Sequence, residues 1–285
     1  MTIAIYGSRR QEPYAQQIAA FLDALARAGA RVVMHRKLFD VLIRLMPAHM
    51  APVVKIVAGP DFMADCAVSI GGDGTLLRTA MWVGSKDIPI IGVNTGHLGY
   101  LSGATVEELP SLANELLSGS WPTESRTLMH VSEPELPFWP YALNEVAVAK
   151  EDTASMIIAH TSIGGALLAN YRADGLVIST PTGSTAYNLS VGGPILEPSA
   201  PVWALSPIAA HSLSMRPLVV SDDSHISIEV DGRGRQFRLT LDGRAVALPL
   251  GTRIEIEKAP FKLRLIVRPG HEFPIPLRQK LHWSE

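Results

Sequence analysis

With 285 residues and a single cysteine, Cys66, the chain can form no internal disulfide and no cysteine-rich metal site. A formal net charge of −2 argues against nucleic acid as the main partner, and 47% hydrophobic residues are ample for two ordinary domains. The opening run Ile3–Gly7 reads as a strand, since it has neither the basic start nor the small-residue cleavage site of a secretory leader. The most apolar stretch elsewhere, 38–50, is broken by Asp40, Arg44 and His49 and is too short to span a bilayer. The expectation is a cytoplasmic protein that engages no membrane.

After the first strand, Tyr14–Ala28 has the spacing of an amphipathic helix that stops at Gly29, and Arg31–His35 reads as a second strand. Segment 36–61 fits no element and is expected to be a mobile or lineage-specific cover. Cys66–Ile70 is a third strand, with Cys66 a core thiol, followed by a helix over Leu76–Trp82. Pro89–Asn94 gives a fourth strand, and Val106–Leu117 a helix stopped at Gly119. Strands alternating with helices predict a Rossmann-like parallel α/β domain, with ligands at the carboxyl ends of the strands.

Around Trp121 and Pro122 the texture changes. Short β-rich runs follow at Leu143–Ala149, Met156–Ser162, Gly175–Ser179, His225–Val230, Gln236–Leu241, Arg253–Glu257 and Leu263–Val267. Turns recur between them at Gly164-Gly165, Asp231-Gly232 and Asp242-Gly243, with one helix near Thr185–Val191. That spacing predicts a C-terminal β-sandwich-like domain.

The most informative segment is Gly71-Gly72-Asp73-Gly74-Thr75, between a buried strand and a helix. Glycines let the backbone approach a ligand, and a helix start offers N–H groups and partial positive charge to phosphate. Asp73 stands where it can orient a hydroxyl nucleophile or bind a metal, which is the chemistry of phosphoryl transfer; the plainer reading is an Asp-Gly turn. No Gly-Lys-Ser/Thr occurs, so this is not a P-loop, and Thr75-Leu76-Leu77 lacks the third glycine of a dinucleotide fingerprint.

Other candidates are open to two readings. Asn144-Glu145 can read a base edge and a ribose diol together, or simply be a solvated strand end. In Tyr171–Tyr187 a strand enters a Pro/Gly/Ser/Thr turn that can hold an adenine or a phosphate, with Tyr187 stacked on a base. Ser184 or Thr185 can equally be an N-cap there. Asp242-Gly243-Arg244 works as a hairpin turn, Arg233 and Arg235 as solvated loop residues in preference to a phosphate site, and His211 as a structural group in preference to a catalytic base. No His/Cys/Asp cluster has metal-ligand spacing.

Taken in order, these motifs resemble the bacterial NAD kinases over most of the chain. The resemblance is carried by Gly71–Thr75, Gly92–Leu101, Asn144-Glu145, Asp174–Tyr187 with Gly192-Gly193-Pro194, and the His211–Ser214 and Arg216–Val220 runs. The closing Leu277–Trp283 adds to it, and Asp174–Pro194 is far more specific than the glycine motif.

The resemblance implies an α/β domain over 1–122, completed by the C-terminal segment 270–285, a β-rich NAD-binding domain over 123–269, and an active site between them. It further implies phosphoryl transfer from ATP, or polyphosphate, to the 2′-hydroxyl of the adenosine ribose of NAD. A divalent ion, normally magnesium, would accompany the donor. Homodimers or homotetramers would let a neighbouring subunit complete the NAD site. Asp73 would orient the hydroxyl and accept its proton, while Gly72, Gly74 and Thr75 shape the phosphate-facing backbone. Asn144 and Glu145 would hold the adenosine, and Thr182, Thr185, Ala186 and Tyr187 its pocket. Asp174 would reach the nicotinamide end, and Arg172 a phosphate. Arg244 stands where many relatives have glutamine and would touch a phosphate or face solvent. Ile163-Gly164-Gly165 lacks the Asp-Gly turn expected there. The rivals are a non-catalytic NAD/NADP sensor and another kinase with the same glycine motif, such as a lipid kinase.

Overall fold

The computed structural model describes residues 1–96, 99–151, 155–270 and 272–283. It divides into two compact units, Met1–Ser125 with Leu263–Glu285, and Arg126–Lys262.

The first unit runs β1 (Thr2–Gly7), α1 (Ala15–Arg27), β2 (Arg31–His35), α2 (Arg36–Leu45), β3 (Val53–Val57), β4 (Cys66–Ile70), α3 (Asp73–Val83), β5 (Ile90–Asn94), β6 (Ala104–Thr105), α4 (Leu109–Leu117) and β7 (Thr123–Arg126). The sheet order is β3-β2-β1-β4-β5, then the returning strand Leu263–Ile266, then β7, with β6 beside β5. β4 and β5 are buried along their whole length, as uninterrupted apolar strands must be when both faces of a parallel sheet are covered. α1 buries Ile18, Phe21, Leu22 and Leu25 at helical spacing and ends before Gly29, whose φ of 69° suits a residue without a Cβ. The chain leaves β1 towards β2 and β3, then returns to place β4 on the other side of β1. That reversal opens the crevice in which Gly71–Thr75 follows β4.

Two expectations are corrected here. Segment 36–61 is no loose cover: Leu38, Val41 and Leu42 bury one face of α2, and β3 pairs with β2 as the edge strand. The strand Leu263–Ile266 pairs with β5, Leu265 opposite Ile90, so the chain returns to the first unit at 263 and not at 270. An apolar strand of four residues carries no local sign of which sheet it will join.

The second unit runs β8 (Met129–Glu133), β9 (Tyr141–Ala142), β10 (Glu145–Lys150), β11 (Ile157–Ile163), β12 (Ala166–Ala173), β13 (Gly175–Ser179), α5 (Tyr187–Ser190), β14 (Val202–Ile208), β15 (Leu218–Ser221), β16 (Ile226–Gly232), β17 (Gln236–Leu241), β18 (Arg244–Pro249) and β19 (Arg253–Lys258). Two six-stranded sheets form, β15-β14-β13-β10-β17-β18 and β12-β11-β16-β19-β8-β9. Their inward residues share one core around Trp203 and Phe237. β16 shows the logic: Ile226, Ile228 and Val230 are buried while Glu229 and Asp231 point out. The expected helix near 185–191 is shorter, a 3-10 turn over Thr182–Thr185 followed by α5. Among the described residues no helix is long and apolar enough to cross a membrane.

Candidate active site

Asp73 is the first residue of α3, with Gly72 as the N-cap. Gly71 has φ 147° and lies so close to Thr75 that a Cβ would strike the threonine side chain. Gly72 and Gly74 are exposed and nothing stands where their Cβ atoms would be, so the backbone at the helix start is open to a ligand. The helix is stitched to β4 by Thr79, whose hydroxyl donates to Ser69 Oγ (2.8 Å) and to the Thr75 carbonyl (3.0 Å).

The Asp73 carboxylate turns towards the segment after β5. Its Oδ2 accepts the Tyr100 N–H (2.9 Å) and its Oδ1 the Leu101 N–H (3.3 Å). It lies against Gly99, where a Cβ would collide with it. Asn94 closes a local turn by accepting the Gly96 N–H at 3.1 Å. His97 and Leu98, part of the Gly92–Leu101 motif, lie outside the described residues.

In the second unit Asn144 and Glu145 are both nine-tenths buried. Their main chain is held by Asp242, whose carboxylate accepts the N–H groups of Leu143 (2.8 Å), Asn144 (2.8 Å) and Glu145 (3.2 Å). Their side chains keep buried acceptors in reserve, since Asn144 Oδ1 and Glu145 Oε2 have no hydrogen-bond partner. Burial, and next the charge of Asp242, push the Glu145 carboxyl up to about 7, against the pull of the Tyr187 N–H. Burial raises Asp242 too, opposed by its three N–H donors and by Arg244.

The Pro181–Tyr187 turn is pinned beneath this pair. Thr180 donates its N–H to the Asn144 carbonyl (2.9 Å) and its hydroxyl to the Leu143 carbonyl (2.5 Å), and accepts the Gly183 N–H (3.1 Å). Gly183 touches the Asn144 main chain so closely that a Cβ would not fit. Ser184 donates to the Pro181 carbonyl and accepts the Leu196 N–H (3.0 Å). Neither Ser184 nor Thr185 is therefore an N-cap; α5 starts at Tyr187 with Ala186 as its N-cap and no side-chain cap. Asn188 donates to the Pro194 carbonyl (2.9 Å) and accepts the Ser206 hydroxyl (2.7 Å). Thr182 is buried, Thr185 and Ala186 are half-buried, and Tyr187 presents an exposed ring. Thr180, Asn188, Ser206 and Asp242 are braces that sequence reasoning missed. Their signal was only a density of small polar residues in an apolar region.

Of the three remaining candidates, Asp174 and Arg172 stand apart from Glu145, whereas Arg244 pairs with Asp242 at 3.6 Å. Asp174 pairs with Lys150 at 2.8 Å. Since Glu145 faces Ser179 and Ala149 faces Gly175, that pair lies at the other end of β10, roughly 15 Å along the strand. Arg172 is exposed and lines a cleft of about 540 Å³ with Asp231 and Arg233. Arg244 braces the main chain: its guanidinium donates to the carbonyls of Leu241 (3.1 Å), Trp139 (2.5 Å) and Tyr141 (2.7 Å). Five N–H donors in a fixed fork suit bracing a turn as well as gripping an anion. Among the described residues no group of three or more His, Cys, Asp or Glu is arranged to hold a metal.

Residues 9–121 match the ATP-NAD kinase N-terminal domain and residues 143–268 the ATP-NAD kinase C-terminal domain. The chain is 44% identical over 282 residues to an NAD kinase of Porphyromonas gingivalis, covering 99% of this chain and 98% of the relative. It is 38% identical over 289 residues to an NAD kinase of Bacteroides fragilis, covering 100% and 98%. Among solved structures, an NAD kinase from Archaeoglobus fulgidus in complex with ATP superposes with a TM-score of 0.74 at 26% identity, covering 95% of each chain. A yeast NADH kinase complexed with NADH has the same fold, with a TM-score of 0.88 at 22% identity over 100% of this chain and 88% of that one.

Proposed function

The chain belongs to the ATP-NAD kinase family, and we propose that it makes NADP with Asp73 as the group that orients and deprotonates the acceptor. The reaction moves the terminal phosphoryl group of ATP to the 2′-hydroxyl of the adenosine ribose of NAD. The observation that carries the role of Asp73 is its fixing by two N–H groups at the start of α3, where the dipole and open glycine backbone favour phosphate. Asp73 acts mainly by aiming the hydroxyl and takes its proton late, as the phosphoryl group departs from the donor.

The partnerless oxygens of Asn144 and Glu145 call for donors, and adenosine offers an exocyclic amine and ribose hydroxyls. Thr182, Thr185 and Ala186 border that seat, and the exposed Tyr187 ring is free to stack on the base. A divalent ion, magnesium in this reading, would be held by the phosphates of the donor, with Asp73 as a carboxylate available to it. When bound it would draw charge from the phosphoryl group.

Asp174 serves the nicotinamide half from a neighbouring subunit, and Arg172 a phosphate. Two features support the reading of Asp174: its distance from Glu145 along β10, and the exposed apolar side chains of Leu213 (91%), Leu167 (66%) and Val219 (43%). The assembly is a homodimer or homotetramer in the cytoplasm.

The test is NADP formation by the purified protein with NAD, ATP and magnesium, wild type beside Asp73→Asn. Turnover by the wild type and its loss in a folded Asp73→Asn supports the proposal. Near-normal turnover by the variant overturns the role of Asp73. Tight NAD binding without turnover, with ATP or polyphosphate, would make the protein a sensor.

A further inference from the structure

The position of the Asp73 carboxylate is dictated by the loop Gly99–Leu101, which supplies both of its N–H donors and the surface it rests on. Beyond Leu101 the loop is anchored to β5: the Gly103 N–H donates to the Gly92 carbonyl at 2.9 Å, and Gly92 lies close against the Leu101 main chain. At Tyr100 the anchor is a side chain from the far end of the sequence. The Lys280 ammonium sits 4.0 Å from the centroid of the Tyr100 ring.

Lys280 belongs to the last turn of the C-terminal helix Pro274–Leu281, which is seated in the first unit through the buried Pro276 and Leu277. Its own side chain is exposed and has no carboxylate partner among the described residues. A cation in water gains from an aromatic face only when something keeps the two together, and here the seated helix does so. Burial, and next the charge of Asp73, raise the Tyr100 hydroxyl above its usual range, which places that ring within the electrostatic reach of the carboxylate.

We propose that Lys280 is a positioning residue for phosphoryl transfer, clamping Tyr100 so that the Gly99–Leu101 loop aims the Asp73 carboxylate at the acceptor hydroxyl. The inference rests on the proposed role of Asp73. Nothing in it requires Lys280 to touch a substrate. Its loss loosens the loop, and the carboxylate follows the two N–H groups that hold it. The acceptor and donor still bind, but fewer of the bound complexes are aligned for transfer.

The experiment compares Lys280→Met, Lys280→Arg, Tyr100→Leu and the Lys280→Met/Tyr100→Leu double variant, with Asp73→Asn as reference and a thermal melt for each. For Lys280→Met the expected result is a kcat about tenfold lower, with KM for NAD and ATP unchanged and an unaltered melt. Arginine retains a cation for the ring and restores most of the rate. The double variant is no slower than the slower single one, because both break the same contact. The inference is overturned by a wild-type kcat in Lys280→Met, by failure of arginine to rescue, by additive losses, or by a loss confined to KM for ATP. The last would make Lys280 a donor ligand. The two lysine variants decide the matter even where Tyr100→Leu unfolds. Normal turnover by Asp73→Asn would instead remove the role of Asp73, an outcome read separately from all of these.

Discussion

Gly99 is the floor on which the Asp73 carboxylate rests: a Cβ at residue 99 would occupy the same space as the carboxylate oxygens. The requirement is one of room and not of backbone angle, because Gly99 is not among the glycines with positive φ. The motif Gly92–Leu101 thus has a second function besides ending a strand. It forms a mould for a side chain that arrives from α3.

Gly99→Ala should therefore displace Asp73 without unfolding the unit. A shift of about 1 Å in a reacting group costs on the order of a hundredfold in rate, so kcat should fall by about that factor. Substrate KM values and the melting temperature should stay near those of the wild type. Steady-state kinetics with a calorimetric melt checks this, and a wild-type kcat would show that the carboxylate has slack.

Asp242→Ala should damage stability and NAD binding together. The substitution strands the N–H groups of Leu143, Asn144 and Glu145, and it puts alanine at a φ of 46°. Each buried unpaired N–H costs about 1–3 kcal/mol, so with partial relaxation a loss of about 3 kcal/mol is expected in denaturant unfolding, with a raised KM for NAD. Asp242→Asn keeps one acceptor oxygen and tolerates positive φ, so it should lose less. Equal stability of the alanine variant would show that water replaces the carboxylate.

How far the sequence could be read depended on whether a residue's role was local. Gly71–Thr75 was legible because strand, glycines, carboxylate and helix start are contiguous, and their chemistry follows from adjacency. α2 was legible in principle, since Leu38, Val41 and Leu42 recur at helical spacing, yet the charges between them masked the pattern. The bracing contacts of Arg244 are not legible in the sequence because its partners, the carbonyls of Trp139 and Tyr141, lie about a hundred residues away in the chain. The strand Leu263–Ile266 was assigned to the wrong unit for the same reason: pairing with β5 is a property of the fold. The hairpin at Asp242-Gly243 was foreseen, with Leu241 opposite Arg244, but its second use as a clamp on Leu143–Glu145 was not.

Glu145→Gln should remove a pH dependence of stability. The folded carboxyl titrates at about 7 and the unfolded one near 4.5, so between those values the folded chain holds the extra proton. Stability from this group is full below about pH 4.5 and is lost as pH rises through 7. The upper limit is about 3 kcal/mol, from roughly 1.36 kcal/mol per pKa unit. Glutamine carries no such charge, so the variant should gain on the wild type as pH rises from 5 to 8, while binding NAD more weakly. Denaturant unfolding at pH 5, 6, 7 and 8 checks the sign. A constant difference between the two proteins would show that Glu145 is ionised throughout.

Cys66 should behave as a reporter of opening in the first unit. It starts β4, is wholly buried, and burial followed by the charge of Asp65 pushes its thiol up to about 12. At pH 8 roughly one part in ten thousand is thiolate, and that fraction has no access to reagent. A disulfide reagent should therefore label the native protein only as fast as β4 is exposed. The rate should become independent of reagent concentration and rise with denaturant. If Asp73 and the open start of α3 seat the donor triphosphate, ATP with magnesium should slow labelling, because only the ligand-free fraction of the folded unit opens to expose Cys66. Rapid labelling in native buffer would mean that β4 opens without unfolding, and that the strand carrying Asp73 is far less rigid than its burial implies.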